Sequence, residues 1–254
     1  MPELKISSII IAKNEEANIG RCIDSQKGCI DEIVLVADDS GTDRTLEIAE
    51  SKGVKCFHQK WMGYSKTKEF ALSHTGNEWV LWIDADEALT PELANEIREF
   101  KTKIPAHAAY SMPRKANFLG RWIMHGGWYP SRVTRLFNKT KAGFSDSDVH
   151  ETLIVNGTTG ELKHDMEHYT DPSIKHYYSK FNKYTTLAAE ELERRGKKFR
   201  ITDILLRPLF LFIKMYILRG GFLDGMQGLM LAIFSANYVF TKYCKLWEKK
   251  IKAK

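Results

Sequence analysis

Apolar and polar positions in the first hundred residues come in blocks. Four short runs are largely apolar: Ile6–Ala12 (ISSIIIA), residues 32–37 (EIVLVA), residues 54–58 (VKCFH) and residues 79–83 (WVLWI). Each predicts a strand. The segments between them, residues 16–25, 43–52 and 65–73, predict helices. In the second of these Leu46 and Ala49 share a face and Gly53 supplies the stop. Thr90 is placed to cap a further helix with Pro91 at its first position, and Leu93, Ile97 and Phe100 follow at helical spacing. Apolar strands alternating with helices predict an α/β chain whose parallel sheet is covered on both faces. Ligands of such sheets bind outside the carboxyl ends of the strands.

The polar residues gather at that edge. The first strand ends on Lys13–Glu16 (KNEE), the second on DDSGTD at residues 38–43, and the fourth on Asp84, Ala85, Asp86 and Glu87. Like charges crowded at one rim repel, so a cation or a set of hydrogen-bond donors belongs among them. Two carboxylates one residue apart, on a turn leaving a strand, can share a divalent ion, and hard oxygen ligands suit Mg2+ or Mn2+. An isolated D-x-D is equally consistent with a solvated turn before a helix; its position at the strand end favours the site.

Length and charge add limits. The chain has 254 residues and a formal net charge of +6, from 38 basic and 32 acidic residues. That excess suits nucleic acid, an anionic membrane or a phosphorylated substrate. No aromatic-basic nucleic-acid motif is visible, so no nucleic-acid partner is expected. Cys22, Cys29, Cys56 and Cys244 form no C-x-x-C pair and have no ligand spacing with histidine, as in reduced thiols of a cytosolic protein. The apolar stretch before Lys13 is too short for a secretory signal.

The stretches SIIIAKNEEANIGRCIDS, EIVLVADDSGTDRTLEIAE and WMGYSKTKEFALSHTGNEWVLWIDADEALTPEL together resemble the GT-A nucleotide-sugar transferases of glycosyltransferase family 2. RVTRLF, VHETL and LRGGFLDGMQG resemble one branch, the bacterial enzymes that add glucose to the inner-core heptose of lipopolysaccharide or lipooligosaccharide. The resemblance implies a GT-A, Rossmann-like, mostly parallel sheet with helices on both faces, followed by a helical C-terminal region. It also implies nucleotide-binding positions at Ala12, Asn14, Glu15, Asp38, Asp39, Lys68, Asp84 and Ala85, with Asp38 or Asp39 on the uracil or ribose. DDSGTD departs from the family's DDGSTD by exchange of Gly and Ser; both orders give a small-residue turn. Asp84 and Asp86 match the metal and diphosphate corner.

Glycosyl transfer also needs a base for the acceptor hydroxyl. GFSDSDVHETL, residues 143–153, places Asp146, Asp148, His150 and Glu151 together, where the branch carries its VHE. Glu151 or Asp148 is the expected base, and His150 either ligates the metal or orients a phosphate. The following IVNGTTGEL reads as a hairpin turning at Asn156-Gly157. Arg132 and Arg135 lie on an expected strand; a planar fork suits diphosphate or acceptor phosphate oxygens, although either could be an edge-strand surface arginine. Trp122 and Trp128 could face a sugar or pack in the core.

Past residue 170 the texture changes. A helix over residues 176–200 ends in a basic cluster, and two apolar stretches, residues 201–225 and 226–240, precede a basic tail. Arg207-Pro208 and Lys214 interrupt the first, so insertion at the surface of an anionic leaflet is expected rather than a span. The expected domains are residues 1–170, catalytic, with a nucleotide half to about residue 105 and an acceptor half from about 106, and residues 171–254, helical and membrane-associated. The reading is an inverting, metal-dependent hexosyltransferase using a UDP-sugar, UDP-glucose by resemblance. Its acceptor is a lipid-linked saccharide, reached from the cytoplasmic face of the membrane, with a homo-oligomer left open. Alternatives are a transferase of another envelope glycan or a sugar nucleotidyltransferase. The latter is disfavoured because IIIAKNEEANIG lacks a glycine-rich triphosphate loop.

Overall fold

A computed structural model of the chain describes residues 3–145 and 152–252. It divides into two compact units, Met1–Arg114 with Ser131–Tyr169, and Lys115–Pro130 with Thr170–Lys254.

In the first unit β1 (Ile6–Ala12), β2 (Glu32–Asp38), β3 (Lys55–Gln59) and β4 (Trp79–Trp82) alternate with α1 (Ile19–Ser25), α2 (Thr45–Ser51) and α3 (Tyr64–Ser73). These strands lie in the order β3-β2-β1-β4, all parallel. Both faces are apolar because both are covered. Ile6 and Ile10 pack with Ile19 and Ile23 of α1 and Ala49 of α2, whereas Ile9, Val36 and Val80 meet Ala71 of α3. Burying each such aliphatic side chain contributes about 1.5–3 kcal/mol.

The chain continues through β5 (Glu87–Leu89), α4 (Pro91–Lys101), β6 (Ala109–Phe118), β7 (Arg121–Ile123), β8 (Ser131–Asn138), β9 (Ala142–Phe144), β10 (Leu153–Val155), β11 (Thr159–Glu161) and β12 (Met166–Asp171). Thr90 caps α4 as expected, its hydroxyl accepting the Leu93 N–H at 3.2 Å, with Pro91 at the first position. Beyond β4 the sheet runs β8-β6-β12-β5, and the pairs β4–β8, β6–β8 and β5–β12 are antiparallel. The sheet is therefore mixed: all parallel among β3, β2, β1 and β4, and largely antiparallel beyond β4.

The hairpin expected at residues 154–162 does not form. β10 pairs antiparallel with β9, and β11 pairs parallel with β6. The Asn156-Gly157 turn transfers the chain from one sheet to the other. Gly157 takes φ +139°, and a Cβ there would meet the Ala108 methyl at 2.9 Å. Positive φ and close approach both select glycine.

In the second unit β7 pairs with the far part of β6, through Ala116–Ile123 and Phe118–Arg121. Helices α5 (Ile174–Arg194), α6 (Ile201–Phe212) and α7 (Gly225–Lys252) follow, with a π-helical turn at Ile213–Leu218 and a 3-10 turn at Gly221–Asp224. The sequence divides the last stretch at residue 240, but α7 runs on through the basic tail, which holds no glycine or proline. Phe118, Ile123 and Leu231 form the unit's buried cluster, with Tyr177, Phe234 and Trp128 packed on it. Trp128 is thus half-buried against that cluster. No helix among the described residues is long and apolar enough to cross a membrane.

Candidate active site

The carboxyl ends of β1 and β2 are knitted together by side chains. Asn14, at φ 56°, accepts the Thr42 N–H at 2.8 Å, and the Glu15 N–H donates to the Thr45 hydroxyl at 2.7 Å. Lys13 reaches Ser40 Oγ at 2.6 Å and Asp38 at 3.2 Å. Asp38 Oδ1 accepts the Ser40 N–H and hydroxyl at 2.9 and 2.7 Å. These Ser40 bonds, with Lys13 adding to them, hold the Asp38 carboxyl below its ordinary pKa. The exchanged Ser-Gly order keeps a tight turn: the Gly41 N–H donates to the Asp38 carbonyl, and a Cβ at Gly41 would lie 3.1 Å from that oxygen. The Asp39 N–H donates to the Gln59 carbonyl at 3.2 Å, which ties the β2 end to β3. Ala12, Asn14, Glu15, Asp38 and Asp39 are thus grouped at one edge.

The turn between β4 and β5 carries the D-x-D. Asp84 Oδ2 accepts from Arg135 Nη2 at 2.5 Å, and Asp84 Oδ1 from Trp82 Nε1 at 3.2 Å. Glu87, fully buried, closes the turn by accepting the Asp84 N–H at 3.0 Å. Its other oxygen accepts from Arg135 Nη2 and Arg114 Nη1, both at 2.8 Å. Arg135 sits on β8 one residue before Leu136, the partner of Leu81 on β4, and so beside the strand end. The Arg135 guanidinium carbon lies 3.8 Å from the centre of the Trp82 ring, and Lys68 Nζ 3.6 Å from it. Lys68 is 1 % exposed. Burial raises the Asp84 pKa, yet Arg135 and then Lys68 outweigh it and hold the carboxyl well below the usual range. The cations that the acidic rim requires are therefore protein side chains.

Asp86 faces elsewhere. Its Oδ2 lies 3.3 Å from His168 Nε2, and the Tyr169 N–H donates to its carbonyl at 2.9 Å. His168 comes from β12, brought alongside by the His168–Glu87 register with β5. The sequence reading missed His168, which lies 82 residues after Asp86 with only the β5–β12 pairing to join them. Among the described residues no three His, Cys, Asp or Glu side chains form a metal cage. Mg2+ and Mn2+ sites that use substrate phosphates need only one or two protein ligands, and a carboxylate oxygen facing an imidazole nitrogen fits that description. Asp84 is committed to Arg135, which leaves Asp86 as the freer of the two carboxylates.

Arg132 is not part of this cluster. It donates to the carbonyls of Ser111 and Leu162 at 3.0 and 2.8 Å and lies 3.6 Å from Glu161. Arg135, 3 % exposed, meets carboxylates, and its Nε and Nη1 are buried with no hydrogen-bond partner among the described residues. Asp146, Asp148, His150 and Glu151 lie outside the described residues. Their flanks are described: the Ser145 N–H donates to the Thr152 carbonyl at 3.0 Å, and Phe144, next to Ser145, packs edge-on against Trp82 at 5.2 Å.

The sequence profile of glycosyl transferase family 2 matches residues 7–193. The chain belongs to this family. It is a transferase, and several of its relatives match along nearly the whole length. An uncharacterised glycosyltransferase of Rickettsia typhi is 34 % identical, covering 98 % of this chain and 89 % of its own. The lipopolysaccharide core biosynthesis glycosyltransferase LpsC of Rhizobium meliloti is 27 % identical, covering 98 % and 94 %. Among solved structures, a mannosyltransferase of Pyrobaculum calidifontis in complex with GDP-Man and Mn2+ superposes with a TM-score of 0.57 at 12 % identity, covering 98 % of this chain and 89 % of its own. That likeness establishes the GT-A fold of this family 2 member.

Proposed function

We propose that this family 2 enzyme is an inverting, metal-dependent hexosyltransferase that moves glucose from UDP-glucose to the inner-core heptose of a lipid-linked lipopolysaccharide or lipooligosaccharide. It works at the cytoplasmic face of the membrane. The observation that carries the reading is the β4–β5 corner, where Asp86 faces His168 beside the buried Lys68 and the Arg135-braced Asp84. The similarity to a lipopolysaccharide core transferase supports the acceptor class.

In the reaction the acceptor oxygen forms a bond to the anomeric carbon on the face opposite the departing diphosphate. The bond from that carbon to the β-phosphate oxygen breaks and its electron pair stays on the phosphate. A single displacement inverts the configuration, from α-linked donor to β-linked product. Asp86 and His168, with Asp84 adjacent, would hold a dication, which when bound would supply Lewis acidity for the leaving group. Lys68 adds a fixed positive charge in a buried setting, where preorganised charge acts most strongly on charge that develops in the transition state. Arg135 positions Asp84. Glu151 or Asp148 takes the acceptor proton; the strand that leads into their segment packs on Trp82.

The test is UDP release from a panel of UDP-sugars, with Mg2+, Mn2+ or chelator, and with the lipid-linked acceptor added or withheld. Acceptor-dependent, metal-stimulated release is expected, lost in Asp86→Asn and His168→Gln. Full transfer in chelator would refute the metal assignment. Release from every sugar but UDP-glucose would refute the donor. Glu151→Gln should abolish transfer while UDP binding survives.

A further inference from the structure

The outer side of α6 and the π-helical turn after it carries apolar side chains that no described residue covers. Leu205, Leu206, Leu209, Phe210, Ile213 and Ile217 recur at intervals of mostly three or four residues and are 40–61 % exposed. Helices of soluble proteins ordinarily put polar residues on the solvent side, and a contiguous apolar face marks a binding surface. The opposite side is committed within the unit, with Asp203 and Met215 buried.

Charge decides the occupant. Residues 197–226 contain six basic side chains, Lys197, Lys198, Arg200, Arg207, Lys214 and Arg219, and two acids, Asp203 and Asp224. Both acids are 2 % exposed. Asp203 is bonded to Arg207 Nε at 2.6 Å and accepts the Arg200 N–H at 3.0 Å, and Asp224 accepts the His125 N–H at 2.8 Å. What residues 197–226 present to solvent is therefore apolar and cationic, with no exposed acid among them. A second copy would present the same positive charge and repel. A bilayer with anionic headgroups offers both complements, negative charge at the surface and hydrocarbon just beneath.

We infer that α6 and the turn to Leu218 lie in the interface of an anionic bilayer, with the Leu205–Ile217 stripe at the acyl boundary and the basic residues among the headgroups. This deepens, and rests on, the proposed action on a lipid-linked acceptor. The helix is an interfacial one: no described helix is long and apolar enough to cross.

Co-sedimentation of the full-length chain with phosphatidylcholine vesicles, with and without phosphatidylglycerol, tests it. Binding is expected only with the anionic lipid, and raised salt should weaken it. The double variant Leu209→Asp/Phe210→Asp should bind roughly tenfold more weakly or worse. Lys198→Glu/Lys214→Glu should lose the preference for anionic vesicles, and both variants should keep the wild-type circular dichroism. Absence of wild-type binding at low salt, or equal binding by the apolar variant, would overturn the inference. So would a dimer, seen by light scattering, that Leu209→Asp/Phe210→Asp dissolves while vesicles go unbound. No donor or acceptor is present, so an inactive protein that binds vesicles counts only against the transferase reading.

Discussion

Replacing Arg135 by Met should destabilise the first unit by about 3 kcal/mol at neutral pH. The arginine side chain is 4 % exposed and Glu87 is fully buried, and one nitrogen of the arginine bonds both Glu87 and Asp84. Removing one partner of a buried ion pair costs roughly 3–5 kcal/mol, because the charge left behind is desolvated and unpaired. Arg114 stays 2.8 Å from Glu87 and partly neutralises it, which places the cost at the lower end. For a unit of this size that corresponds to a melting shift of roughly 6–12 °C. Urea unfolding at pH 7, followed by circular dichroism, measures it, provided the slope with denaturant matches the wild type. A loss below about 1 kcal/mol would show that the guanidinium is not what neutralises the corner.

Acidification gives the same reasoning a sign. Burial pushes the Asp84 pKa up, but Arg135 and then Lys68 bring it down to about 2. An aspartate in the unfolded chain titrates near ~3.9. A group depressed in the folded state contributes stability that is complete above the unfolded value and is lost as pH falls through the window from ~4 to ~2. Without Arg135 the burial effect acts with less opposition and the folded pKa climbs. The wild type therefore loses stability across that window that the variant never had, and the gap between them narrows from pH 7 to pH 3. A gap that stays constant over this range would refute the assignment.

Lys68→Met should weaken UDP binding by roughly tenfold in calorimetry, since the cation over Trp82 is buried and oriented before any ligand arrives. Gly228→Ala should destabilise the second unit by about 1–3 kcal/mol or more in denaturant, because a Cβ there collides with the Gly221 carbonyl oxygen, a backbone atom. Burial raises the thiol pKa of all four cysteines, so access decides their order: Cys22 and Cys29 are buried, whereas Cys56 and Cys244 are partly exposed. Mass spectrometry after brief maleimide treatment at pH 7 should find Cys56 and Cys244 labelled first.

The nucleotide half was legible because its determinants are local. Four apolar runs, a Thr-Pro helix start and small-residue turns fix the parallel strands within a residue or so of β1 to β4. Beyond Leu89 most pairings that build the main sheet join residues far apart, and periodicity is silent about partners. A turn-forming Asn-Gly dipeptide predicts a reversal, but whether the flanking strands then pair depends on Ala109–Ser111 of β6 offering β11 a better edge. The segment Lys115–Pro130 groups with the C-terminal helices through bonds such as His125 Nδ1 to Asp224 at 3.0 Å, across 99 residues of sequence. In the site, the acids were readable as a motif and Lys68 by resemblance; Arg135 was read as facing a phosphate, and the fold turns it to Asp84 and Glu87 instead. Arg114 and His168 were not readable, because neither lies near the D-x-D until β6 and β12 enter the sheet.

Charge balance explains why a buried strand can end on three acids in four residues. Asp84, Asp86 and Glu87 bring three negative charges, and Arg114, Arg135 and Lys68 bring three positive ones, with His168 beside Asp86. A corner that is neutral by itself pays no standing repulsion. Glu87 and Asp84 meet the arginines through direct bonds, so their geometry is fixed by the fold. Asp86 is held by its backbone, and among the described residues its side chain is paired with an imidazole, which makes it the carboxylate whose partner can change most easily. A diphosphate arriving with a dication adds little net charge, and the corner can take both without rearranging its buried pairs. The two aspartates should therefore differ when changed to asparagine: Asp84→Asn should act mainly on stability, because Arg135 loses one of its two carboxylate partners and keeps only Glu87, and Asp86→Asn mainly on metal-dependent turnover. Equal effects of both on melting temperature, with turnover untouched by Asp86→Asn, would show that the division of labour is wrong.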